Sequence, residues 1–161
     1  MELKQILVIQ NKRIGDVLIS SVIANNIKKV FPKSHVTSFV YDYTVGVLEN
    51  NPNIDRVISV QENVLKKPLE LLKMMRYIRS QKYAVIFDPY SKLQSRLICL
   101  YSKAPYRIGQ KRAHKKLKQP FYTHPMSYVE QRYKNCGKAI EDKRNMITSV
   151  CELSDADYEQ K

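Results

Sequence analysis

Apolar residues come in short blocks separated by polar stretches of helical period, a rhythm that predicts strands alternating with helices. Ile6 to Ile9 is an unbroken apolar run at the start of the chain, as suits a central strand covered on both faces. A helical pattern follows from about Asp16 to Val30. Val17, Leu18, Val22, Ile23, Ile27 and Val30 form its broad apolar face, and Pro32 lies just past its end. His35 to Tyr41 reads as a second strand, Val45 to Glu49 as a short helix, and Asp55 to Val60 as a third strand. From Lys67 to Arg79 the pattern is amphipathic, with Leu71, Leu72, Met75 and Ile78 inward and Lys73, Arg76 and Arg79 outward. Tyr83 to Phe87 is the next strand and stops at Asp88-Pro89. Leu93 to Tyr101 is a helix and Tyr106 to Ile108 a short strand. Residues 110–125 read as a long basic loop with two prolines. Ser127 and Glu130 have capping-box spacing and open a helix to Ala139, with a last helix near Asn145 to Leu153. The alternation predicts βαβ units: one α/β domain over residues 1–161, a parallel sheet with helices on both faces.

Charge adds a second layer. The formal net charge is +13, and the excess is local. From Pro89 to Val129 there is no acidic residue, whereas Lys92, Arg96, Lys103, Arg107, Lys111, Arg112, Lys115, Lys116 and Lys118 are all basic. Such a field favours a polyanion: nucleic acid, an anionic membrane surface or a phosphorylated glycolipid. No apolar run approaches the length of a membrane span, and the N-terminus has no signal-peptide pattern. Cys99, Cys136 and Cys151 are widely spaced without a CxxC pair, which implies a reducing cytoplasm and neither a disulfide framework nor a metal site.

Candidate chemistry concentrates after the first strand. Gly15 lets the backbone turn tightly or approach a ligand. Asp16 sits where a strand end meets a helix start, the edge where open α/β sheets bind ligands. Two readings of Asp16 stand side by side: a helix cap accepting backbone N–H bonds, or a carboxylate facing a ligand. Lys12 and Arg13 flank it and can grip an acid group, or stand as solvated loop residues. Asp88 ends another strand and is a second carboxylate candidate, with plain turn chemistry as its alternative. Neither GxGxxG nor GxxxxGK[ST] occurs, which disfavours dehydrogenase-type and P-loop nucleotide sites.

Several segments, in register from residue 4 to 109, carry a resemblance. Ile14-Gly15-Asp16-Val17-Leu18 follows the Ile-Leu-Val-Ile strand. Phe31-Pro32-Lys33-Ser34-His35-Val36, Asn51-Pro52-Asn53-Ile54-Asp55-Arg56-Val57, Tyr83-Ala84-Val85-Ile86-Phe87-Asp88 and Ala104-Pro105-Tyr106-Arg107-Ile108-Gly109 come after it in order. Together they resemble the lipopolysaccharide heptosyltransferases, glycosyltransferase family nine. The resemblance implies a Rossmann-like domain, the N-terminal, acceptor-side half of a two-domain GT-B fold, without the C-terminal nucleotide-sugar domain. It implies Asp16 as the general base of an inverting, metal-independent transfer. The donor would be ADP-heptose as substrate, with no cofactor, and the acceptor an anionic glycolipid, the lipopolysaccharide inner core. Lys12, Arg13, Gly15, Asp88, Lys111, Arg112, Lys115 and Lys116 are the acceptor-binding candidates. The resemblance also implies a cytoplasmic protein peripheral to the inner membrane, with a separate C-terminal domain as a further partner and little turnover by this chain alone.

Two other readings compete. A small basic nucleic-acid-binding module would use the charge together with Tyr90, Tyr101, Tyr106, Phe121 and Tyr122 as stacking groups, although no helix-turn-helix, RRM or zinc pattern supports it. A non-catalytic remnant would expose its interdomain face as an apolar patch.

Overall fold

A computed structural model describes residues 5–110, 120–126 and 137–158. Six strands form one sheet: β1 (Gln5–Ile9), β2 (His35–Tyr41), β3 (Arg56–Val60), β4 (Val85–Asp88), β5 (Tyr106–Gln110) and β6 (His124–Met126). Their order is β3-β2-β1-β4-β5-β6, and every pairing is parallel. This is the order of the doubly wound Rossmann-like fold, in which the chain reverses direction across the sheet between β1 and β4.

Alternating strand residues feed two cores, as the period of two demands. Leu7, Ile9, Phe39, Ile58 and Ile86 pack on one face with Ile78 of α2 (Pro68–Ser80) and Ile98 and Cys99 of α3 (Leu93–Ser102). Ile6, Val8, Val36, Val85, Phe87 and Ile108 pack on the other with Ile23, Ala24 and Ile27 of α1 (Ile14–Val30) and with Met146 and Ile147 of α4 (Lys138–Tyr158). Both faces of the central strands are therefore covered, which explains the unbroken apolar run at Ile6–Ile9.

The motifs around Asn51 and Arg107 tie this frame together. Asn51 Oδ1 accepts the Asn53 N–H at 3.0 Å, and Asp55 accepts the Val36 N–H at 2.6 Å, fixing the entry to β3. Burial acts to raise the Asp55 pKa. The Lys28 ammonium, 2.8 Å away, and the Val36 N–H outweigh it and leave the carboxyl below its ordinary value. Arg107 donates to the carbonyls of Phe121 and Ala104 at 3.0 and 2.6 Å, so it staples the chain around β5.

Several boundaries differ from the sequence reading, four of them with consequences for the site or the core. Helix α1 begins at Ile14, two residues earlier, and Leu18 on its expected buried face is 56 % exposed. The short helix after β2 is a 3-10 segment over Asp42–Val47. The expected loop at 110–125 overlaps the end of β5 at Gln110 and runs into β6, an edge strand of three residues whose Pro125 needs no ladder N–H. Helix α4 starts at Lys138, well before Asn145. Most of the helix expected over Ser127 to Ala139, with its capping pair, lies outside the described residues.

Candidate functional site

β1 and β4 are paired neighbours whose following helices, α1 and α3, pack on opposite faces of the sheet, so the turn after β1 stands at the switch point. Gln10 N–H donates to the Phe39 carbonyl at 2.9 Å, holding the turn against β2. Arg13 is the N-cap of α1, with extended backbone and no side-chain capping bond. Asp16 is thus the third residue of the helix and not its cap, which removes the simple capping reading. Its side chain is 42 % exposed, with Lys12 Nζ 3.5 Å from Oδ1. Its backbone carbonyl accepts from Ser20 Oγ at 2.8 Å. A carboxylate in the first turn is also stabilised by the helix dipole.

Around Asp16 the surface is open. An added Cβ at Gly15 would meet nothing within 4 Å, and its φ is not positive. Gly15 therefore leaves room beside the carboxylate, in line with the second of its two readings, close approach of a ligand, and its backbone needs no positive φ. Lys12 is half-buried and Arg13 exposed. Ile14, Leu18, Tyr43, Leu69 and Leu93 are exposed, and each lies at the end of the sheet where strands give way to the following segment. A small recess beneath this turn is lined by Val8, Gln10, Val17, Ser20, Ser38 and Leu48. Both amide ends of Gln10 and the Nδ2 of Asn11 are buried with no hydrogen-bond partner among the described residues.

Asp88 requires a correction. Of its two readings, an acceptor-facing carboxylate or plain turn chemistry, the first fails because the side chain is 0 % exposed. Oδ1 accepts the Ser91 N–H at 2.8 Å, and Oδ2 accepts the Tyr122 hydroxyl at 2.6 Å, with Cys99 Sγ at 3.8 Å. Burial pushes its pKa up, while Tyr122, Ser91, Ser95 and Arg96 act to lower it. Asp88 is an anchor for the segment that follows the basic loop. Tyr122 lies so close over Gly109 that a Cβ there would overlap its ring, and Arg96 sits 5.4 and 5.7 Å from the Phe121 and Tyr122 ring centres.

Lys111, Arg112, Lys115 and Lys116 lie outside the described residues. One residue near the opening escaped the sequence reading. Lys143 of α4 is 8 % exposed, within electrostatic reach of Lys12, Asp16 and Asp88. Its signal was present: it stands three and four residues before Met146 and Ile147, a charge interrupting an apolar stripe.

The fold and this geometry can be set beside known proteins. No family model matches the sequence. A lipopolysaccharide heptosyltransferase 3 of Escherichia coli is 21 % identical over 104 residues, 63 % of this chain and 31 % of that protein. A glycosyl transferase family 9 structure from Veillonella parvula superposes with a TM-score of 0.69 at 23 % identity, over 92 % of this chain and 42 % of that one. E. coli heptosyltransferase WaaC, solved with ADP-2-deoxy-2-fluoro heptose, gives 0.71 at 16 % identity, over 90 % and 47 %. The chain thus spans less than half the length of each of these relatives. What it shares with them is an α/β fold, that of part of a GT-B heptosyltransferase structure.

Proposed function

We propose that this chain forms the acceptor side of an inverting sugar transferase of the heptosyltransferase type. The supporting observation is Asp16: in the first turn of a helix without a side-chain cap, half-exposed, and among the described residues paired only loosely with Lys12, just past the carboxyl end of β1 beside the switch point. A general base must come within about 3 Å of the proton it takes, and this carboxylate stands where a hydroxyl can reach it. Asp16 would deprotonate the acceptor hydroxyl as its oxygen attacks the anomeric carbon of ADP-heptose. The C–O bond to ADP breaks on the opposite face, so the anomeric centre inverts. No cofactor is required for this step; ADP leaves as a diphosphate whose charge cationic groups can absorb.

The acceptor would be the anionic inner core of lipopolysaccharide. Lys12 and Arg13 would hold its acid groups, with Lys111, Arg112, Lys115 and Lys116 adding charge from the basic segment. The donor would be held mainly by a second domain seated on the exposed apolar rim of Ile14, Leu18, Tyr43, Leu69 and Leu93. No helix among the described residues is long and apolar enough to cross a membrane. Work at the cytoplasmic face of the inner membrane would therefore rest on charge.

The nucleic-acid reading loses support at three of its five aromatic residues. Tyr122 is 5 % exposed, while Phe121 and Tyr106 pack against the two cores. They offer no free stacking platform. Binding measured across salt separates the readings. The purified chain should bind lipopolysaccharide core oligosaccharide and release no ADP from ADP-heptose by itself. Tight binding to RNA or DNA with none to the core would overturn the proposal.

A further inference from the structure

Along the face of β1 that meets α1, Ile6 and Val8 are followed by Gln10, the residue just past the strand. An amide thus stands where the pattern calls for a third apolar side chain. Gln10 is 1 % exposed, and neither Nε2 nor Oε1 has a hydrogen-bond partner among the described residues. A buried amide without partners destabilises a fold, whereas an apolar side chain of the same length would not. Such a group calls for a bonding partner at its own position.

The recess beside it has a volume of about 10 Å³, room for one water molecule and for no larger group. Gln10, Ser20 and Ser21 of α1, and Ser38 of β2 are its polar lining, and Val17 and Leu48 are among its apolar walls. Ser20 Oγ already donates to the Asp16 carbonyl at 2.8 Å, so towards the recess it is an acceptor. The terminal torsion of a glutamine is broad, which lets the amide turn to meet a molecule held there.

We infer that the recess binds one buried water molecule, held by the Gln10 amide and the Ser20 hydroxyl, with Ser38 completing its partners. The water accepts from Gln10 Nε2 and donates to Ser20 Oγ. Its second hydrogen has Ser38 Oγ and Gln10 Oε1 as acceptors. Three partners are the usual number for a buried water. The molecule joins the end of β1 to β2 and, through the Ser20–Asp16 bond, to the first turn of α1. It fastens the turn that carries Asp16, whatever reaction that carboxylate serves.

Oxygen-17 relaxation dispersion of the water signal counts long-lived waters on the 161-residue chain and is blind to serine hydroxyls. Wild type should carry one more such water than Gln10→Met, which keeps the length of the side chain and removes both polar atoms. A high-resolution crystal structure of the wild-type chain should place that water's oxygen about 3 Å from Gln10 Nε2 and from Ser20 Oγ. Thermal melts confirm that the variant folds, and Gln10→Leu replaces it if the methionine variant does not melt cooperatively. An unchanged dispersion in the folded apolar variant, or a dry recess in the wild-type crystal, would overturn the site.

Discussion

Replacing Tyr122 with phenylalanine removes one oxygen atom from beside a fully buried carboxylate. The Tyr122 hydroxyl donates to Asp88 Oδ2 at 2.6 Å, while Oδ1 keeps its bond from the Ser91 N–H at 2.8 Å. Asp88 is 0 % exposed, so water cannot replace the lost donor without local rearrangement. A hydrogen bond to a charged partner contributes about 1.5–3 kcal/mol, against about 1 kcal/mol for a neutral pair. Burial holds the Asp88 pKa above its ordinary value, so the folded chain binds this proton more tightly than the unfolded chain does. Stability therefore falls as pH climbs from the ordinary carboxylate range through the raised folded pKa. Tyr122 moderates that fall, because its bond favours the ionised form. Tyr122→Phe should cost about 1 kcal/mol where Asp88 is protonated and about 2–3 kcal/mol above its folded pKa. Urea denaturation of wild type and variant, at a pH range chosen to span the titration of Asp88 in the folded chain, measures this difference. In an Asp88→Asn background the pH dependence of the cost should disappear. A cost of equal size at both ends of the range, or one below about 0.5 kcal/mol at the upper end, refutes the reasoning.

Other substitutions test the frame and the rim. Gly109→Ala drives a methyl into the Tyr122 ring, whose hydroxyl is held by Asp88, and should cost about 1–3 kcal/mol in denaturant midpoints. Asp55→Asn should cost about 1 kcal/mol at pH 7, discounted for partial exposure of the Lys28 pair. Because the folded pKa of Asp55 is lowered, that contribution is present above the ordinary carboxylate pKa and fades as pH falls through the folded value; wild-type and variant melts should therefore differ at pH 7 and draw together as pH falls below the ordinary carboxylate pKa. Leu18→Ser, at a position 56 % exposed, should change stability by less than about 0.5 kcal/mol yet weaken docking of a donor-binding domain, read by co-sedimentation.

The sheet was legible because its central strands are apolar on both faces, and the strand-helix alternation along the chain bounds His35–Tyr41 as the structure has it. The edges were less so. His124-Pro125-Met126 has no apolar run, and its pairing with β5 depends on tertiary context. Helix α4 was cut short because Glu141, Asp142 and Lys143 look like a solvated stretch, although Glu141 and Lys143 are buried. At the site, the Gly15-Asp16 pair marked the right turn. Asp88 misled because a strand-ending Asp at the binding edge looks the same whether it faces solvent or Tyr122. Lys143 leaves a trace in the sequence as a charge within an apolar stripe, but its burial depends on the packing of α4 on α1, which is distant in sequence.

Sugar transfer by an Asp16→Asn variant probes the general-base assignment most directly. The chain, wild type or variant, would be assembled with a donor-binding half and supplied with ADP-heptose and core acceptor. If Asp16 removes the acceptor proton, the variant should lose about 10²–10⁴-fold in turnover while acceptor affinity stays within about threefold. Turnover within about threefold of wild type would contradict the assignment and leave this chain with a transferase fold but another base.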